Sequence, residues 1–98
     1  MILVPVDEVV YLRAELKYVT IRTAEREHLT EESLTSLEAE FGERFVRIHR
    51  NALVATEYVD TLIKDKDGEL IMTLRDVNVT MQVSRRNAAQ VKKALKNL

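Results

Sequence analysis

With 98 residues, 46% of them hydrophobic and only two glycines and one proline, the chain has apolar material for one modest core, so a single domain over residues 1–98 is expected. The lack of cysteine excludes disulfides, thiolate metal sites and a thiol nucleophile, and it suits a reducing, cytoplasmic setting. The net charge of −1 excludes a uniformly basic nucleic-acid binder, yet residues 1–43 carry four basic side chains against ten acidic ones while residues 44–98 carry eleven against six.

In chain order, the apolar start Met1-Ile2-Leu3-Val4 meets Pro5 and Asp7-Glu8 with no basic residues before it, too short for a secretory core or a membrane span. Val9–Glu15 and Tyr18–Thr23 are rich in β-branched and aromatic residues and read as strands. Thr30 is the expected cap of a short helix with Glu31 and Glu32 in its first turn, Leu34, Leu37 and Phe41 on one face, and Gly42 at its stop. Phe45–Ile48 and Leu53–Ala55 are brief strands around a polar knot. Tyr58–Lys64 and Leu70–Arg75 form a hairpin through the turn signal Asp67-Gly68. Val77, Val79, Met81 and Val83 alternate with polar residues as a half-buried strand does. Ser84 then reads as the N-cap of a final helix carrying Ala88, Val91, Leu95 and Leu98 at helical spacing. Strands in this order cannot build a doubly wound parallel sheet, so the fold class is mostly β (α+β), with small antiparallel sheets, one internal helix and a C-terminal helix.

Catalysis has little to stand on. There is no glycine-rich phosphate loop, no zinc-protease or nucleophile-elbow motif, and only His28 and His49 as imidazoles. Asp65-Lys66-Asp67-Gly68-Glu69 is better read as a turn than as a calcium loop, since an EF-hand aligned on Gly68 would place Ile63 and Leu74 at ligand positions. No enzyme activity, cofactor or metal is expected.

The knot is different, because Arg47, His49, Arg50 and Asn51 offer hydrogen-bond donors between the apolar anchors Phe45, Ile48, Leu53 and Val54. Arginine forks onto guanine or phosphate, and asparagine pairs with adenine or the backbone. Arg85 and Arg86 fall at the expected first two positions of the last helix, where the macrodipole disfavours cations but an anionic partner would find free amides and two guanidiniums. Lys17 and Tyr18, between the first two strands, can present a further loop. Internal ion pairs and turn caps are the plainer reading of the same residues, and Lys92, Lys93 and Lys96 read as electrostatic background.

Through Val9-Val10-Tyr11-Leu12-Arg13-Ala14-Glu15, Phe45-Val46-Arg47-Ile48-His49-Arg50-Asn51-Ala52-Leu53-Val54, Tyr58-Val59 and Val83-Ser84-Arg85-Arg86, the chain resembles the LytTR family of DNA-binding output domains over nearly its whole length. Its wording is most similar to the alginate biosynthesis regulator group of two-component response regulators. The resemblance implies a fold of small sheets whose loops enter successive major grooves, and transcriptional control of genes for virulence, exopolysaccharide or biofilm. Carried over by position, it implies base or phosphate contacts from Lys17, Tyr18, Arg47, His49, Arg50, Asn51, Arg85 and Arg86. It also implies double-stranded DNA with repeated half-sites as partner, two domains per site, RNA polymerase as a further partner, and a receiver domain that this chain does not contain. The acidic first half departs from a basic DNA binder, so a modest salt slope is expected: if about four to six phosphates are contacted per domain, log affinity falls against log salt by about 0.9 per phosphate. The rival is a protein interaction module that uses Tyr58–Lys64 or Leu70–Arg75 as a sheet edge and docks its arginine-rich loops on acidic partners. An RNA-binding β module ranks below it, because the few aromatics are needed in the core.

Overall fold

The computed structural model describes residues 4–96. In chain order it contains β1 (Val9–Glu15), β2 (Tyr18–Thr23), β3 (Glu27–Thr30), α1 (Leu34–Phe41), β4 (Phe45–His49), β5 (Ala52–Ala55), β6 (Val59–Lys64), β7 (Leu70–Leu74), β8 (Thr80–Val83) and α2 (Ala88–Lys96). The strands form a five-stranded sheet in the order β3-β2-β1-β5-β4 and a three-stranded sheet in the order β6-β7-β8. Every pairing is antiparallel. The expected mostly β architecture with two helices is the one the chain adopts.

The larger sheet is covered on both faces, which is why β1 and β5 read as nearly continuous apolar runs rather than strict alternations. On one face Val10, Tyr11, Val46, Ile48 and Val54 meet Leu70, Met72, Leu74, Met81 and Val83 of the smaller sheet and Val91 of α2. On the other, Val9, Leu12, Val19, Leu53 and Phe45 receive Leu34 and Leu37 of α1. Leu12, Leu53, Ile48 and Met72 are fully buried, each such side chain contributing about 1.5–3 kcal/mol. A register shift between Val9 and Tyr11 inserts Val10 as an extra residue, so that Val10 and Tyr11 both serve the first face.

Four local expectations need correction. Glu27–Thr30 forms β3, the edge strand beside β2, with Thr30 opposite Val19. Thr30 is thereby committed to the sheet, and the cap of α1 is Ser33, whose hydroxyl accepts from the Ser36 amide at 3.0 Å. The run from Val77 is only partly a strand: pairing with β7 covers Thr80–Val83, and Val77 buries its side chain without a ladder partner just after Asp76, which sits at φ 66°. The last helix begins at Ala88, not Arg85. Residues 84–87 form a turn, closed by Asn87 N–H donating to Ser84 O at 3.1 Å and by the Ser84 hydroxyl on Asn87 Oδ1 at 2.6 Å. Of the apolar positions expected on that helix, Val91 is fully buried and Ala88 and Leu95 pack beside it, while Leu98 lies outside the described residues. Gly42 does close α1, at φ 64°.

Candidate nucleic-acid interface

Three turns meet at one end of the larger sheet, and backbone hydrogen bonds fasten them together. The β1–β2 turn is Leu16–Lys17, the β4–β5 turn is Arg50–Asn51, and the third is the turn at 85–87 before α2. Antiparallel pairing of β1 with β5 sets Arg13 opposite Ala52, and the Ala14 amide donates to Asn51 O at 2.8 Å, placing the first two turns side by side. The Ser84 amide donates to Ile48 O at 2.9 Å, so the third turn hangs from the end of β4.

A bulge in β4 decides what the second turn presents. Arg47 is paired with Leu53 and His49 with Ala52, which leaves Ile48 as the extra residue. Without it, side-chain alternation would send His49 to the face occupied by Arg47 and α1. With it, His49 shares the face of β8 and lines a shallow depression of about 280 Å³ with Arg13, Asn51 and Gln82. His49 Nδ1 accepts from the Asn51 amide at 3.2 Å, so a neutral ring carries its proton on Nε2 and has that donor left for a ligand.

Arg47 is spent inside the protein. Its Nη2 donates to Glu38 Oε1 at 2.8 Å and lies 3.5 Å from Thr35 Oγ1, both on α1, while Nη1 donates to Arg50 O at 2.6 Å. Its side chain is only 16% exposed. The guanidinium is a brace between a helix and the second turn, with its charge neutralised by Glu38. The remaining candidates are open: Lys17, Tyr18, Arg50, Asn51, Arg85 and Arg86 are all exposed, and His49 is half-buried. Arg85 stands 3.9 Å from Glu69, whose other oxygen accepts from Gln82 Nε2 at 2.9 Å. Since Arg85 and Arg86 precede the helix rather than begin it, the macrodipole penalty expected of them is reduced.

The acidic and basic halves of the sequence are not halves in space. β1 and β2, from the acidic half, bring Arg13 and Lys17 to the same end as Arg50 and Arg86. Arg13 lies over the Tyr11 ring at 5.3 Å and 3.8 Å from Glu15, a third local acid that is paired after Glu38 and Glu69. Glu31 and Glu32 follow Thr30, which pairs with Val19 near this end, and they limit the positive field at the β3 edge. Lys93 points elsewhere, sharing a surface hollow with Glu43 and Thr56 at the opposite end of β4.

Leu16 and Arg13 belong to this end as well, although neither was among the candidates read from the sequence. Leu16 carries a weak signal, an apolar residue in a two-residue turn where asparagine or glycine is usual. Among the described residues, no group of three or more histidine and carboxylate side chains could hold a metal ion, and no helix is long and apolar enough to cross a membrane.

A Pseudomonas aeruginosa protein described as a positive alginate biosynthesis regulatory protein is 45% identical over 97 residues, which cover 98% of this chain and 39% of that protein. This chain therefore spans about two fifths of that relative's length. A solved LytTr DNA-binding domain from a Bacillus cereus response regulator superposes with a TM-score of 0.85 at 24% identity, over 94% of this chain and 84% of the other, and so shares the fold. The model of the LytTr DNA-binding domain matches residues 1–96, and the chain belongs to that family of DNA-binding domains.

Proposed function

We propose that this single domain binds duplex DNA sequence-specifically through its three clustered turns and acts as the output domain of a response regulator controlling transcription. The observation that carries the reading is the pair of backbone bonds, Ala14 to Asn51 and Ser84 to Ile48, which gather Lys17, Tyr18, His49, Arg50, Asn51, Arg85 and Arg86 at one end. Arg50 and Arg86 are the candidates for base edges, Lys17 and Arg85 for phosphates, and Arg47 acts through Arg50. The relative's description extends the proposal to genes of alginate biosynthesis, and the proposal includes a cytoplasmic setting, where such genes are read. Two domains on repeated half-sites, with RNA polymerase as a further partner, complete it.

The test is selection from a random duplex library by the purified domain at near-physiological salt, followed by competition with nonspecific DNA and RNA. An enriched duplex motif supports specific regulation. Failure to enrich a motif even with two tethered domains moves a protein-docking role to first place. That second reading has its own observation: Ile63 on edge strand β6 and Leu29 on edge strand β3 are exposed large apolar side chains. The central strand β7, once expected as an alternative edge, is paired on both sides and cannot serve.

A further inference from the structure

Leu16 is fully exposed, the most exposed of the large apolar side chains among the described residues, and its backbone sits at φ 50°. Both properties are unfavourable for the isolated domain. The left-handed region suits glycine or asparagine, and a leucine held there at a hairpin tip gains nothing from burial. Strain of this kind is maintained where the surroundings use it. The tip lies beside the Arg50–Asn51 turn through the Ala14–Asn51 bond, and the next residues are Lys17 and Tyr18. An apolar group thus projects at the end that is otherwise cationic and polar.

Duplex DNA offers one apolar group of matching kind on a base edge, the C5 methyl of thymine in the major groove. We infer that Leu16 is a specificity-determining residue that packs on a thymine methyl while Lys17 engages phosphate, an inference that rests on the proposed duplex binding. The hairpin holds Leu16 forward because the two-residue turn and the Glu15–Tyr18 pairing leave its side chain no path back to the sheet.

The experiment starts from the selected duplex motif and replaces each thymine in turn by uracil, which removes only the methyl. Wild-type affinity falls about fourfold at one position, the worth of one buried methyl group. Leu16→Gly binds the thymine site about fourfold more weakly than wild type, does not distinguish uracil from thymine there, and melts no lower because glycine fits the backbone. Adding a methyl by placing 5-methylcytosine at the matching position of a cytosine-substituted site restores affinity for wild type alone. Uracil sensitivity that persists in Leu16→Gly, or a wild type indifferent to every replacement, overturns the inference while leaving duplex recognition intact. A wild type with no preference for any duplex removes the proposed function and this contact with it.

Discussion

The two ends of the larger sheet are built from the same strands but treat their polar groups in opposite ways. At the end where β1 and β4 begin, the chain closes on itself: Arg44 pairs with Asp7, the Tyr58 hydroxyl donates to Asp7 O at 2.9 Å, and the Thr56 hydroxyl donates to Arg44 O at 3.4 Å. The Asp7 side chain, through its hydrogen bond and its charge, raises the pKa of the Arg44 guanidinium above its ordinary value. At the other end Lys17, Arg50 and Arg86 extend into solvent, and no ion pair among the described residues engages them. The turn end also pairs Arg13, Arg47 and Arg85 with nearby carboxylates, but it alone combines them with three clustered, unengaged cations, and its binding capacity lies with those three. Charged side chains elsewhere on this small surface can then be assigned by which end they occupy.

Substitutions can separate the core from the open end. The largest expected effect is Leu53→Ala, which removes a fully buried side chain between α1 and the sheet and costs about 2–5 kcal/mol in urea unfolding. DNA affinity per folded molecule should be unchanged, and an altered base preference would show that the core shapes recognition directly. Arg86→Ala is the converse: a loss of roughly 1–3 kcal/mol for the specific site with an unchanged melting curve, and Arg50→Ala behaves similarly. A melting change of that size would give either arginine a structural role.

Arg47→Met crosses the divide. It leaves Glu38 and the Arg50 carbonyl without their donor, so stability falls by about 1 kcal/mol and the second turn loosens. Specific affinity drops, but the slope of log affinity against log salt stays as in wild type, because a guanidinium neutralised by Glu38 releases few counterions from DNA. A slope shallower by about one phosphate would place Arg47 on the backbone of the duplex instead. The smallest effect belongs to Lys93→Ala. From its place beside Glu43 at the closed end it should alter neither specific nor nonspecific binding, and gel-shift titrations at two salt concentrations suffice to check this.

The elements set by local pattern were legible in the sequence, and those set by distant partners were not. β1, β2 and the helices announce themselves by β-branched runs and helical spacing. β3 does not, because Glu27-His28-Leu29-Thr30 is short, half polar and held by pairing with β2 alone. Thr30 and Ser33 are both reasonable caps in isolation, and only the pairing of Thr30 with Val19 decides between them. The chemistry of the site was readable as residue types, since Arg50, Asn51 and Arg86 are donors flanked by apolar anchors. Their convergence was not, because it depends on Ser84 reaching Ile48, some thirty-five residues away in the chain. An internal ion pair was already the plainer reading of Arg47, but its partner was hidden, because Glu38 is on a helix whose packing no local pattern specifies.

The bulge at Ile48 makes residue count, as well as residue identity, part of what the second turn presents to solvent. Alternation along a strand is a parity, and the extra residue between Arg47 and His49 reverses it just before the turn. Substitutions at His49, Arg50 or Asn51 change which groups are presented to a ligand. A one-residue deletion in this stretch would exchange the faces, send the imidazole toward α1, and detach Ser84 from its anchor in the same stroke. On this scaffold the side chains of the second turn can therefore vary far more freely than its length.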